Sequence, residues 1–91
     1  MDENSVAMNA ERAVARGKAA GLDFVLRELD LGVVYLRMAS NADTKSAQKR
    51  HAKKATGAYQ AALYHVQSLA LNAEERAEFN DKEQRLKSLL E

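Results

Sequence analysis

Leu31-Gly32-Val33-Val34-Tyr35, answered downstream by Ala55, Tyr59 and Ala62, decides how this chain folds. Gly32 stands inside an apolar helical pattern, where glycine costs about 1 kcal/mol relative to alanine. Such a residue makes sense where a second helix crosses closely, and the Ala55–Ala62 strip has the small side chains that permit a close crossing. The pair therefore reads as two facing helices, with aromatic and branched residues wedged beside the small ones.

Working outward, Leu22, Val25, Leu26, Leu29, Val33 and Leu36 keep the three-and-four spacing of one helix face. A second row, Leu31, Val34, Tyr35 and Met38, runs beside it. The combined apolar surface is wider than one neighbouring helix would cover. A helix over about residues 22–40 is therefore expected to touch two partners: a helix of its own chain, and a third helix or a second subunit. Leu31, Val34, Tyr35 and Met38 are the candidate interaction surface.

Ser40-Asn41-Ala42-Asp43-Thr44 is polar and turn-prone, and should end that helix and start the next. The second helix is expected over about 45–71, with Ala52, Ala55, Tyr59, Ala62, Val66 and Leu69 as its seam. Asn72-Ala73-Glu74-Glu75 has the form of a helix start, Asn72 capping and Glu75 three residues on. A third helix over 73–90 then carries Phe79, Leu86, Leu89 and Leu90 on its apolar face, interrupted by Lys82 or Glu83. The short connection predicts that the second and third helices are antiparallel neighbours.

Upstream, Val6, Ala10, Ala13, Val14 and Gly17 form a helical stripe of small residues that buries little area. With Gly17 and Gly21 both unfavourable in a helix interior, residues 1–20 are expected as a weakly ordered helical or mobile segment. That segment would end or bend near Gly21, ahead of a bundle over 21–91. The fold class is all-α: an antiparallel three-helix bundle built on a helical hairpin. Ninety-one residues make one domain, without proline to break helices and without cysteine to staple them.

These residues resemble one tetratricopeptide-type repeat followed by a third helix. Leu31-Gly32-x-x-Tyr35 is similar to the L-G-x2-Y part of that repeat's first helix, and Ala55-x3-Tyr59-x2-Ala62 to the spacing of its second. Glu28 stands where the repeat has tryptophan, and no proline closes the second helix. Nineteen residues separate Tyr35 from Ala55, more than a 34-residue repeat holds. The longer helices of microtubule-interacting-and-transport domains would absorb the excess. The resemblance covers about residues 28–90 and implies a protein-binding role, with a protein partner or a second copy as occupant. It carries over no ligand-contact residue, because a single hairpin lacks the groove that arrays of repeats build.

Net charge is +1, but its distribution is uneven: residues 44–73 hold five bases and no acid. Lys45, Lys49, Arg50, Lys53 and Lys54 lie near a helix N-terminus, where cations oppose the dipole, and Lys49/Lys53 and Arg50/Lys54 repel at i,i+4. A nearby anion is expected. One reading is an intramolecular anion, with Glu83, Glu91 and the terminal carboxylate brought close by the third helix. The other is a phosphate backbone or anionic surface, the alternative function for this chain. No aromatic residue interleaves with the lysines, which disfavours stacking on a single strand.

Catalysis finds no foothold in the sequence. There is no cysteine, no nucleophile elbow and no phosphate-cradling glycine loop. His51 and His65 would stand about 21 Å apart on one helix, too far to share an ion. Asp23, Glu28 and Asp30 read as solvated charges, and Tyr35, Tyr59 and Tyr64 as core or interface packing residues. No cofactor or metal is expected. The acidic start Met1-Asp2-Glu3-Asn4 lacks the order of a secretion signal, and no apolar run reaches the roughly 20 residues of a membrane span. A cytoplasmic, non-catalytic interaction module that forms a homodimer or other homo-oligomer is the expectation.

Overall fold

The computed structural model describes the backbone of residues 3–90 and the side chains of Arg12 and residues 16–90. It is an all-α three-helix bundle: α1 Glu3–Asn41, α2 Lys45–Val66 and α3 Ala73–Leu90. The molecule is elongated, 64 × 23 × 16 Å, and the 39-residue α1 sets its long dimension.

The turn between α1 and α2 forms where expected. Thr44 is extended and caps α2, its Oγ1 accepting the Ala47 N–H at 3.1 Å. α2 then runs back along α1, so that Tyr35 meets Lys54, Phe24 meets His65, and Gly21 meets Leu69. At the start of α3, Asn72 Oδ1 accepts the Glu75 N–H while Glu75 Oε1 accepts the Asn72 N–H, each at 2.9 Å. This reciprocal pair is the capping box read from the sequence.

Gly32 is buried at the junction of all three helices. A Cβ there would lie 2.9 Å from Leu86 Cδ2 and 3.6 Å from the Ala55 carbonyl oxygen. The close crossing of a glycine-bearing helix with an alanine-lined one is thus present, and α3 shares in it. The core consists of Val25, Leu29 and Val33 from α1, Ala62 and Val66 from α2, and Phe79 and Leu86 from α3.

Four expectations are corrected. α1 does not end at Gly21; one helix passes through Gly17 and Gly21. The reason is tertiary: a Cβ at Gly21 would stand 2.8 Å from Leu69 Cδ2, so the glycine makes room for the α2–α3 connection. α2 stops at Val66 rather than Leu71. Its last turn tightens through Ser68 N–H to His65 O and Leu69 N–H to Val66 O, and the chain then lays Leu69 and Leu71 against the core. The α2 seam is Ala55, Ala58, Ala62 and Val66; Ala58 replaces Ala52 and Tyr59, which are half-buried. Finally, α3 seats mainly on α1, running parallel to it, and touches α2 only lightly. The Lys18–Glu75 and Asp30–Lys82 ion pairs, both 2.8 Å, fix its direction.

Leu89 and Leu90, expected on the packed face of α3, are exposed near its end. Lys82 and Glu83, which interrupt that face, are bridging groups: Lys82 to Asp30 of α1, Glu83 to Tyr59 of α2. The upstream stripe Val6, Ala10, Ala13 and Val14 lies outside the residues whose side chains are described.

Candidate interaction site

α1 has two helical neighbours of its own, yet they do not cover its second apolar row. With α2 and α3 both seated, Leu31 is 39% exposed, Val34 46% and Met38 43%. Their shared face points away from Val25, Leu29 and Val33, so neither α2 nor α3 can be its partner. Exposed hydrophobics scattered singly are ordinary, but a line of them on one ridge is a feature of interaction surfaces.

Tyr35, grouped with this row, is half-buried at its α2 edge. The Lys54 ammonium stands over its ring, 5.7 Å from the centroid, within cation–π range. Phe24 belongs to the row and was not singled out from the sequence. It is 41% exposed and packs edge-on against His65, centroids 4.8 Å apart. The signal was its position seven residues before Leu31 and fourteen before Met38, which repeats on one helix face. Tyr64 is outside the core, 74% exposed, and meets His65 edge-on at 5.4 Å.

The basic residues all lie on the surface. Lys45, Lys49, Arg50 and Lys53 stand on the outward face of α2, while Lys54 leans to Tyr35. Among the described residues none of the five has a carboxylate partner; the ion pairs are Lys18–Glu75, Arg27–Asp23 and Lys82–Asp30. The expected neutralisation by Glu83 does not occur. Glu83 Oε2 instead accepts the Tyr59 hydroxyl at 2.9 Å, and burial with this acceptor pushes the Tyr59 phenol up to about 12. Glu91 lies outside the described residues. No acid stands in the first turn of α2 to meet the dipole.

Glu75 is held below the usual carboxylate range by the Asn72 N–H and then by Lys18. His51 Nδ1 is buried without a hydrogen-bond partner among the described residues. Among the described residues no group of three or more His, Cys, Asp or Glu side chains could hold a metal ion, and no helix is long and apolar enough to cross a membrane. A shallow depression of about 320 Å³ lies between Gly17, Lys18 and the Ser68–Ala70 turn. Its one charged group, Lys18, is committed to Glu75.

Compared with protein-family models, with curated proteins and with solved structures, the chain matches none.

Proposed function

We propose that this chain is a non-catalytic helical interaction module that self-associates through the outer face of α1. One observation carries the reading: Leu31, Val34 and Met38 stay 39–46% exposed after both in-chain helices have packed. A helix with an apolar stripe on each of two opposite faces has a second stripe to bury. Its own bundle takes the first.

The test is the double variant Leu31→Glu/Met38→Glu. Both side chains are exposed, so the bundle should keep its helical circular dichroism while the oligomer dissociates to monomer. A variant that keeps the wild-type mass and helicity would place the contact elsewhere and overturn the reading.

A second reading has its own support, the bases of α2, none of which pairs with a carboxylate among the described residues. Lys45, Lys49, Arg50 and Lys53 rise along one exposed face, Lys45, Lys49 and Lys53 about 6 Å apart in turn. Cations set in this way against each other and against the helix dipole favour an external polyanion. Ala55, Ala58, Ala62 and Val66 of α2 are buried in the bundle, and Tyr64 is the one large apolar residue this helix exposes, which is little to insert into a lipid interface. A nucleic-acid duplex, held by its phosphates without regard to sequence, is the ligand this face suits.

A further inference from the structure

The exposed face of α1 is more regular than a patch. Gly17, Ala20, Phe24, Arg27, Leu31, Val34 and Met38 alternate by three and four residues without a break. All seven are exposed. That is the a/d spacing of a coiled-coil seam, set opposite the core face and interrupted by the charged Arg27. By sequence the same spacing continues upstream along the α1 helix at Ala13, Ala10 and Val6.

The seam is graded in size. Its downstream half, from Phe24 to Met38, is bulky; its upstream half is glycine, alanine and one valine. Two parallel copies would set bulky against bulky and small against small, leaving voids at one end and crowding at the other. Antiparallel copies match bulk to space.

We infer that two copies of this chain pair antiparallel along α1, in the register that sets Phe24 against Ala20 of the partner subunit. The inference rests on the self-association proposed above and specifies its geometry. In that register Leu31 comes level with position 13 of the partner subunit, and Arg27 with Gly17 of the partner subunit. Gly17 then has a purpose that its own chain does not supply: a Cβ there would touch nothing within 4 Å, yet glycine in an exposed helix costs about 1 kcal/mol. The space it leaves admits the long Arg27 side chain.

The register brings the two Asp23 side chains near the axis, each already held by Arg27 of its own chain at 2.9 Å. Flanking the seam, Asp30 comes opposite Arg16 of the partner subunit, twice by symmetry. Asp30 already holds Lys82 of its own chain at 2.8 Å, so Arg16, which makes no ion pair among the described residues, would join as a second cation at an exposed carboxylate. The length of α1 agrees with the register. Glu75 at the start of α3 meets Lys18, and Leu69 in the α2–α3 connection meets Gly21, while α1 itself begins at Glu3. Antiparallel pairing lays the turns upstream of Lys18 against the bulky half of the partner's seam.

Cross-linking of single-cysteine variants tests this, in a chain that has no cysteine of its own. Position 23 flanks the symmetry axis of this register, so Asp23→Cys should join to its copy through a short bis-maleimide. In the same register Met38 and its copy are far apart along the pair, about 48 Å at 1.5 Å per residue, so Met38→Cys should stay uncoupled. Coupling of Met38→Cys without Asp23→Cys would mean a parallel pair and overturn the inference while leaving self-association intact. A dimer by mass in which neither couples would overturn it as well, by placing the contact in another register or on another face. A chain that is monomeric by mass would overturn self-association itself, and the register with it.

Discussion

Leu86 of α3 occupies the space that a side chain on Gly32 of α1 would need: a Cβ there would stand 2.9 Å from its Cδ2. Leu86 is fully buried and cannot swing into solvent. The glycine's cost to the helix is thus offset by close approach of a second helix and a third.

Gly32→Val should therefore destabilise the bundle by about 1–3 kcal/mol through overpacking. Gly57 is the contrast. A Cβ there would meet nothing within 4 Å, so Gly57→Ala should stabilise by about 0.5–1 kcal/mol. Urea unfolding followed by circular dichroism reads both. A stabilising Gly32→Val would show that the three-helix junction is looser than described.

The hydrogen bond from Tyr59 to Glu83 ties α2 to α3 and should give the bundle an alkaline limit. The phenol titrates near 12 when folded, raised from 10.0. Below the ordinary value both states keep the proton and the contribution is whole; as pH rises from 10 through 12 the unfolded chain releases the proton first, and the contribution is lost. Absorbance titration should show one late-ionising tyrosine that disappears in Tyr59→Phe. A Tyr59→Phe chain with an unchanged titration curve would contradict the assignment.

Acid should loosen the other end of α3. Glu75 is held ionised by the Asn72 N–H and Lys18, so its contribution is present above the ordinary carboxylate range and fades as pH falls through its lowered folded value. Asn72→Ala removes the side-chain half of the same box and should cost about 1 kcal/mol at neutral pH. Amide exchange would report this as faster opening of residues 73–76 than of the rest of α3; uniform protection along α3 would count against it.

If the α2 face binds a duplex, the affinity should fall steeply with salt and show no sequence preference. Lys49→Glu/Lys53→Glu should abolish the shift of a short DNA duplex in a gel, with helicity unchanged. An equal shift by that variant would remove the reading. Binding to anionic vesicles but not to duplex would show a membrane surface to be the ligand.

Much of this bundle was legible in its residues because the signals were local. Thr44 and Asn72 with Glu75 mark helix starts through hydrogen bonds made within three residues. Gly32, Ala55 and Ala62 mark the crossing because a small residue amid large ones has few other uses. What was not legible depended on distant contacts. Gly21 looks like a helix end until Leu69 is found against it. Residues 67–71 have no glycine or proline to stop α2, which ends because Leu69 and Leu71 turn inward to the core. The row from Leu31 to Met38 was visible as excess apolar width. Only the seating of α3 beside Gly32 shows that the chain's own helices leave it, with Phe24, uncovered.

The mass of the unmodified chain in solution decides whether α1 pairs with a second copy of itself. Light scattering on a size-exclusion column, across low to high micromolar concentration, should give twice the 10.1 kDa chain mass at the upper end. A strictly monomeric 10.1 kDa species at high micromolar concentration would contradict that pairing.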